Sequence, residues 1–248
     1  AASEKKGRVS LFGSINAKGR IENLGIARSY IYNGYDNEYA SASAFAGERM
    51  GWTDGEGPVI SNCYVDYTVQ ISASCPGGFV GYVGNNVQRK LTIAYCYSRA
   101  QLNRVVDNHS PAYSFVGCDK SIGTVKIENC WSVGDYDFAK KTEEIIFTNC
   151  FTDYESTAFN VSGIAVLSEN EMFGRNMVGL NFDDIWRAAD TSLPQLRKFK
   201  LKGDVNSDGY INLLDLEKIK EYLYDHTVQI DCVAANLAPS PRIDEKDV

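Results

Sequence analysis

Oxygen-bearing side chains recur at fixed intervals in residues 204–215, whose sequence is DVNSDGYINLLD. They occupy loop positions one, three, five, nine and twelve, and a glycine stands at position six. Ca²⁺ prefers about six to eight oxygen ligands, and the glycine permits the sharp turn that brings alternate side chains inward. The spacing therefore predicts a calcium loop, with an acidic turn as the alternative. The predicted ligands are Asp204, Asn206, Asp208, Tyr210 and Asp215.

A helix is predicted after this loop but not before it. Downstream apolar residues recur at three- and four-residue spacing, as on one face of a helix. These are Leu213, Leu214, Leu216, Ile219, Tyr222 and Leu223. The segment before the loop is short, follows Pro194 and ends in Gly203, which disfavours an entering helix. An EF-hand needs two helices, so the predicted unit is a loop followed by one helix.

Residues 203–223, GDVNSDGYINLLDLEKIKEYL, resemble the repeat of the dockerin family, including the aspartate at position twelve. Dockerins carry two such repeats, and residues 236–247 are in register as a second one. That segment departs from the pattern at Ala238, Ser240 and Pro241, so we expect one well-formed site and one degenerate loop in residues 203–248. The sequence ends where the second helix would begin. Either that helix lies beyond this sequence or the dockerin is incomplete.

The dockerin resemblance implies calcium-dependent attachment to a cohesin domain of a scaffold protein, in a cellulosome-type assembly. In that family the contacts come from loop positions ten and eleven and from the middle of the following helix. The matching residues are Leu213, Leu214, Lys220 and Glu221. Helix packing is the alternative role for the two leucines. The resemblance further implies a bacterial protein that is extracellular or attached to the cell surface.

Composition narrows the remaining possibilities. A chain of 248 residues with 44% hydrophobic and 23% charged residues suits one or two globular domains, and a net charge of −7 argues against nucleic acid as a partner. No apolar run approaches the roughly 18 residues of a membrane-spanning helix. With only two histidines, a zinc site or a Ser-His-Asp triad has few ways to form.

Two interleaved motifs repeat through the first 165 residues. One ends in a glycine after an aromatic residue, and its last glycines, Gly13, Gly47, Gly81 and Gly117, are 34, 34 and 36 residues apart. The other has the form Ile-x-Asn-Cys. Its fourth positions are Leu24, Cys63, Cys96, Cys130 and Cys150. A shared period indicates a repeat architecture whose units bury their apolar faces by stacking on one another.

Each repeat is rich in β-branched and aromatic residues between Gly, Asn, Asp and Ser, which predicts strands. The expected fold is mainly β: a parallel β-solenoid (β-helix) over residues 1–200, with a small α-helical, calcium-binding dockerin at the C-terminus. Unequal spacing disfavours a β-propeller. Residues 167–199 are expected to cap the solenoid, with Trp186 as a packed anchor, and residues 32–58 to form a protruding loop. The phrases ISNCY and GGFVGY resemble the GLUG repeats of bacterial surface proteins. That resemblance implies a right-handed parallel β-solenoid (β-helix) of a secreted or adhesin-like protein.

The motif cysteines are expected to form an inward-facing ladder of buried free thiols, because parallel neighbours suit disulfide geometry poorly. Cys75, Cys118 and Cys232 fall outside the ladder. No cysteine spacing suggests zinc. Many unpaired thiols in a secreted protein indicate an anaerobic setting.

Three functions remain open for the repeats. The favoured one is a non-catalytic carbohydrate-binding or adhesin-like module, with Tyr64, Tyr67, Tyr82 and Tyr97 as candidate platforms. The alternative is a polysaccharide lyase or glycoside hydrolase, although no carboxylate pair recurs from repeat to repeat. Asp66, Asp135, Asp137 and Asp153 serve equally well as turn residues. The third is a structural spacer of a longer protein.

Overall fold

A computed structural model describes residues 7–16, 18–35, 40–49, 57–83, 90–105, 112–119, 124–139, 144–155, 161–199, 202–206, 211–230, 232–236 and 243–244. The chain divides into two compact units. Unit 1 comprises Ala1–Met172 and Asn176–Leu180, and unit 2 comprises Phe173–Arg175 and Asn181–Val248.

Unit 1 consists mainly of short strands. The first ten are β1 (Arg8–Val9), β2 (Ser14–Ile15), β3 (Arg20–Glu22), β4 (Gly25–Ile26), β5 (Tyr30–Tyr32), β6 (Ser41–Ser43), β7 (Glu48–Arg49), β8 (Val59–Ser61), β9 (Tyr64–Val65) and β10 (Gln70–Ala73). The next eleven are β11 (Cys75–Gly77), β12 (Val80–Val83), β13 (Lys90–Ala94), β14 (Tyr97–Ser98), β15 (Gln101–Arg104), β16 (Val116–Asp119), β17 (Thr124–Glu128), β18 (Trp131–Ser132), β19 (Ile145–Thr148), β20 (Cys150–Thr152) and β21 (Ile164–Val166). A 3-10 helix at Glu169–Met172 follows them.

These strands form five parallel sheets. Their strand orders are β1-β6-β11 in sheet A, β16-β12-β7-β2 in sheet B, β19-β17-β13-β8-β3 in sheet C, β21-β20-β18-β14-β9-β4 in sheet D and β15-β10-β5 in sheet E. Equivalent motif residues pair between neighbouring strands of one sheet. In sheet C, Ile60 pairs with Ile93 and Ile93 pairs with Ile127. The sequence repeat therefore sets the register.

The predicted β-solenoid with a C-terminal dockerin is wrong. The strands are divided among several separate parallel sheets rather than joined in a solenoid, and the helix that follows the loop is internal, at residues 213–224. A conformational break at the third position of the Ile-x-Asn-Cys motif separates sheet C from sheet D. The residues there, Asn23, Asn62, Tyr95, Asn129 and Asn149, have φ between 49° and 56°. Asparagine tolerates this left-handed conformation, which ends one strand and redirects the next.

The core of unit 1 contains a column of phenylalanine rings. Ring centroids of Phe45 and Phe79 are 4.9 Å apart, those of Phe79 and Phe115 are 4.8 Å apart, and those of Phe115 and Phe138 are 4.7 Å apart. All four side chains are fully buried. Stacked aromatic rings at this spacing add to the stabilisation from area burial.

The expected protruding loop over residues 32–58 is also wrong for residues 40–47. Residues 40–47 are buried, and β6 and β7 lie within this region. The small side chains of Ala42, Ala44 and Ala46 are fully buried and pack against the phenylalanine column. Small residues here reflect close packing, not the exposure of a loop.

The cysteine ladder is confirmed in its described members. Cys63, Cys96, Cys130 and Cys150 are free and fully buried. Each thiol donates to the carbonyl two residues upstream, as Cys96 Sγ does to Ala94 O at 3.1 Å. Burial raises the pKa of the Cys96 and Cys150 thiols. Cys75, outside the ladder, is disulfide-bonded.

Unit 2 contains an antiparallel hairpin and two helices. The hairpin pairs β22 (Trp186–Ala189) with β23 (Ser192–Leu196), and the helices are α1 (Leu213–Tyr224) and α2 (Cys232–Ala235). Trp186 is fully buried, which agrees with a packing role rather than a sugar platform. Within the described part of the chain, no helix is long and apolar enough to cross a membrane.

Candidate calcium loop and docking helix

The junction between the loop and α1 is fixed by a capping box. Asn212 is the N-cap in an extended conformation, and its Oδ1 accepts from Leu214 N at 2.7 Å. Asp215, three residues later, accepts from Asn212 N through Oδ2 at 2.9 Å. These bonds satisfy N–H groups that a helix start leaves without intrahelical partners. Helix α1 therefore begins within the last turn of the predicted calcium loop.

Asp215 also holds the beginning of the loop. Its Oδ1 accepts from Val205 N at 2.7 Å and from Asn206 N at 3.3 Å. Only 2% of the Asp215 side chain is exposed. One buried carboxylate thus joins loop positions two and three to position nine and to the helix.

A cation that the sequence did not indicate lies beside the first predicted ligand. Arg187 Nη2, on β22, is 3.7 Å from Asp204 Oδ2, and both side chains are largely buried. Arg187 lies well before the loop in the sequence, and no motif spacing connects it to Asp204. The ion pair offsets part of the cost of burying the Asp204 carboxylate.

The loop entry is anchored to α2. Gly203 N donates to Ala234 O at 2.9 Å, and Lys202 Nζ donates to Asn236 O at 2.7 Å. Gly203 has φ +96°, a conformation that L side chains rarely adopt, so glycine is required where the chain turns into the loop. The side chains of Val205, Ile219 and Ala235 form a small buried cluster that joins the start of the loop to α1 and α2.

The described ligand candidates carry the oxygen types that a hard cation takes. Asp204 and Asp215 have buried carboxylates, Asn206 has a side-chain amide, and Ca²⁺ prefers carboxylate and amide oxygens. Asp208 and Tyr210 lie outside the described residues. Among the residues that are described, no group of three or more His, Cys, Asp and Glu side chains could hold a metal ion. The calcium site therefore stays a prediction.

The predicted partner-binding residues lie on the outer face of α1. Leu213 is 73% exposed and Leu214 is 57% exposed, and Lys220 and Glu221 are also exposed. Tyr224, at the end of the same face, is 95% exposed. The inward face holds Ile219, so helix packing does not account for the two leucines. An exposed apolar pair next to a capped helix start is typical of a contact surface.

Two of the four predicted aromatic platforms, Tyr82 and Tyr97, are buried, and Tyr64 is half-buried. The rings of Tyr64 and Tyr97 stack at 5.1 Å, and those of Tyr97 and Trp131 stack at 4.4 Å. Tyr97 is 8% exposed and Tyr82 is 5% exposed. Tyr67 alone of the four candidates is strongly exposed, at 54%.

Two exposed tyrosines were missed by sequence reasoning. Tyr30 and Tyr32 alternate with Ile31 along β5 and are 66% and 52% exposed. Alternation of this kind was the available signal, because successive side chains of a strand point to opposite faces.

Two of the acids considered for lyase or hydrolase chemistry, Asp66 and Asp153, accept structural hydrogen bonds. Asp66 Oδ1 accepts from Thr68 N at 3.0 Å and from Thr68 Oγ1 at 2.7 Å. Asp153 Oδ1 accepts from Gly134 N at 2.9 Å, and burial raises the pKa of the Asp153 carboxyl. These bonds give both residues a structural role.

No family model and no curated protein matches this sequence. A similar solved structure is described as a candidate immunoglobulin A1 protease from Bacteroides ovatus, with a TM-score of 0.44 and 15% sequence identity. The match covers 79% of this chain and 65% of that chain, so this chain spans less than two thirds of its length. At these values the similarity carries no argument about function.

Proposed function

We propose that residues 203–224, termed the loop–helix unit, bind Ca²⁺ and dock this protein onto a cohesin-type domain of a scaffold protein. The observation that carries the proposal is the pairing of a buried carboxylate turn with an exposed apolar pair at the start of α1. Asp204 and Asp215 are buried in that turn, while Leu213 and Leu214 project outward.

Calcium would act by rigidifying the turn that presents the leucines. Asp215 already joins the loop start to the helix start through backbone N–H groups. A carboxylate oxygen has lone pairs beyond those used in such bonds, so Asp215 can also face a cation. Metal binding would remove conformational freedom from the loop before the partner arrives, and preorganisation of this kind strengthens binding.

The partner class follows from the dockerin resemblance together with the chemistry of the exposed face. Leu213 and Leu214 supply an apolar contact, and Lys220 and Glu221 supply charges of both signs nearby. A protein surface with an apolar patch and mixed charges complements this face. We also propose that the protein is extracellular and attached to a scaffold protein.

The proposal is tested with the full chain immobilised and a panel of cohesin domains in solution, in Ca²⁺ and then in EDTA. We expect at least one cohesin to bind in Ca²⁺ and to dissociate in EDTA. Leu213→Ala/Leu214→Ala should weaken binding by about tenfold or more, as for central apolar contacts of an interface. The matched control is Tyr30→Ala/Tyr32→Ala, which removes two exposed apolar side chains from unit 1.

Calorimetry separates the metal from the partner. Wild type and Glu217→Gln should release or absorb heat on Ca²⁺ addition, and Asp208→Ala should respond much less. Equal responses from all three would reject the metal site. Cohesin binding that is unchanged by EDTA would reject the calcium dependence but not the docking face.

A further inference from the structure

The outer face of sheet E combines two parallel aromatic rings with side-chain amides. On β5, the edge strand, the ring centroids of Tyr30 and Tyr32 are 6.1 Å apart and the rings are within 10° of parallel. Both rings are more than half exposed, while Ile31 between them packs against the core. Two solvent-facing rings side by side form an exposed aromatic patch, and such patches mark interaction or ligand-binding surfaces.

The side-chain amides of Gln70 and Gln101 extend the outer face of sheet E from β5 to β10 and β15. In register, Tyr30 pairs with Gln70 and Gln70 pairs with Gln101. Gln70 Nε2 donates to Gln101 Oε1 at 3.3 Å, and Gln101 Nε2 donates to Tyr67 O at 3.1 Å. These two hydrogen bonds orient the side-chain amides. The side-chain oxygen of Gln70, Oε1, takes part in neither of them. The face therefore offers rings at one edge and oriented amides beside them.

The chemistry of this face favours a neutral, hydroxyl-rich ligand. The strands β5, β10 and β15 contain no carboxylate, and their one charged residue is Arg104 at the far end of β15. Sugar rings present C–H groups that pack on aromatic faces, and hydroxyls that both donate to and accept from amides. Three strands about 4.8 Å apart make the face wide enough for a stretch of chain rather than a single ring.

Tyr30 also borders a cleft of about 450 Å³ that is lined by Leu24, Ile26 and Ile31. These three residues pack against the core, so the cleft lies on the core side of β5 and is not part of the outer face. An extended polypeptide is the competing occupant, because β5 is an edge strand whose backbone could pair with an added strand. The paired tyrosine rings and the lack of carboxylates on these strands favour the sugar chain.

We propose that the outer face of sheet E, centred on Tyr30, Tyr32 and Gln70, binds a neutral polysaccharide chain. The site lies within unit 1 and needs neither Ca²⁺ nor the loop–helix unit. Its failure and the failure of the proposed docking function are therefore distinguishable.

The test is affinity gel electrophoresis of the full chain in EDTA. The gels contain glucomannan, arabinoxylan or mixed-linkage β-glucan, and a fourth contains polygalacturonate as a charged comparator. We expect at least one neutral polysaccharide to retard the protein. Tyr30→Ala and Tyr32→Ala should each weaken the interaction by about two- to tenfold, and the double variant should lose it. Gln70→Ala should weaken it while leaving the rings in place.

Tyr224→Ala is the matched control, since it removes an exposed tyrosine from unit 2. Circular dichroism and thermal melting of each variant show whether the fold is retained, and the exposed positions of both tyrosines predict that it is. Absence of retardation by every neutral polysaccharide overturns the proposal, as does equal retardation of wild type and the double variant. Retardation by polygalacturonate alone would assign the effect to charge. Binding of a polypeptide that the double variant abolishes, without any retardation, would assign the face to a protein partner instead.

Discussion

Replacing Asp215 by asparagine should loosen α1 even when calcium is absent. The Asp215 carboxylate accepts from three backbone N–H groups, those of Val205, Asn206 and Asn212. An asparagine side chain has one acceptor oxygen, and its NH₂ group would face a backbone N–H donor at the other position. At least one of the three bonds is lost, and the charge that strengthens the others is removed.

The size of the effect follows from those contacts. A hydrogen bond to a charged group contributes about 1.5–3 kcal/mol, and a helix cap contributes about 0.5–2 kcal/mol. Loss of the Asn212 bond with weakening of the other two should lower the free energy of local opening of α1 by about 2–4 kcal/mol. That change corresponds to about 30- to 700-fold faster amide exchange, at about 1.4 kcal/mol per factor of ten.

Hydrogen exchange of the full chain in EDTA measures this directly, in peptides that cover Leu213–Tyr224. Glu217→Gln is the control, because it makes the same chemical change at an exposed position of the same helix. Peptides from sheet C should exchange equally in all three proteins. If Asp215→Asn and Glu217→Gln exchange α1 amides at the same rate, the carboxylate does not hold the loop and the helix together.

Four further outcomes are expected. Phe79→Ala should lower the unfolding free energy of unit 1 by about 3–5 kcal/mol in urea denaturation, because its ring is fully buried between two others. Asn129→Ala should cost about 1–2 kcal/mol by the same measurement while Asn129→Gly costs far less, since φ there is 54°. Cys232 is exposed, so a thiol reagent should label it in the native protein, and Cys232→Ser should remove the fast phase, whereas the buried Cys96 should react only on unfolding. Burial raises the pKa of the Asp153 carboxyl, so the folded state loses stability as the pH rises from the unfolded-state pKa through the folded-state pKa. Asp153→Asn should therefore melt higher than wild type at neutral pH, and the difference should vanish on acidification.

The repeat period predicted which residues of unit 1 share a position, but not how the sheets divide. The burial of Cys63 and Cys96 follows from the Ile-x-Asn-Cys pattern, because an apolar residue at a fixed position in each repeat must face the same way. The break between sheets C and D lies at the third position of that motif, where φ is positive. The recurring asparagine was the signal available in the sequence, because asparagine tolerates the left-handed conformation. Reading the motif only as a strand concealed it.

The composition of residues 40–47 is typical of an exposed loop, but packing decides their conformation. Residues 40–47 are rich in serine and alanine, which is typical of a loop, yet Ser41 and Ser43 are buried and bonded. Ser43 Oγ donates to Ala46 O at 2.7 Å, so a local bond satisfies the buried hydroxyl. Small polar residues can serve close packing as well as exposure.

The candidate site was predictable as far as its contacts are local. The start of α1 and the inward position of Asp215 follow from loop spacing and capping chemistry. The Arg187 ion pair with Asp204 and the bond from Gly203 to α2 depend on segments far away in sequence. Spacing rules carry no information about such contacts.

Cohesin binding by the full chain in Ca²⁺ and in EDTA tests the central claim most directly. We predict calcium-dependent binding that Leu213→Ala/Leu214→Ala weakens by about tenfold or more and that Tyr30→Ala/Tyr32→Ala leaves unchanged. Binding to no cohesin in either condition, or binding that the leucine variant does not alter, would contradict the proposed docking function.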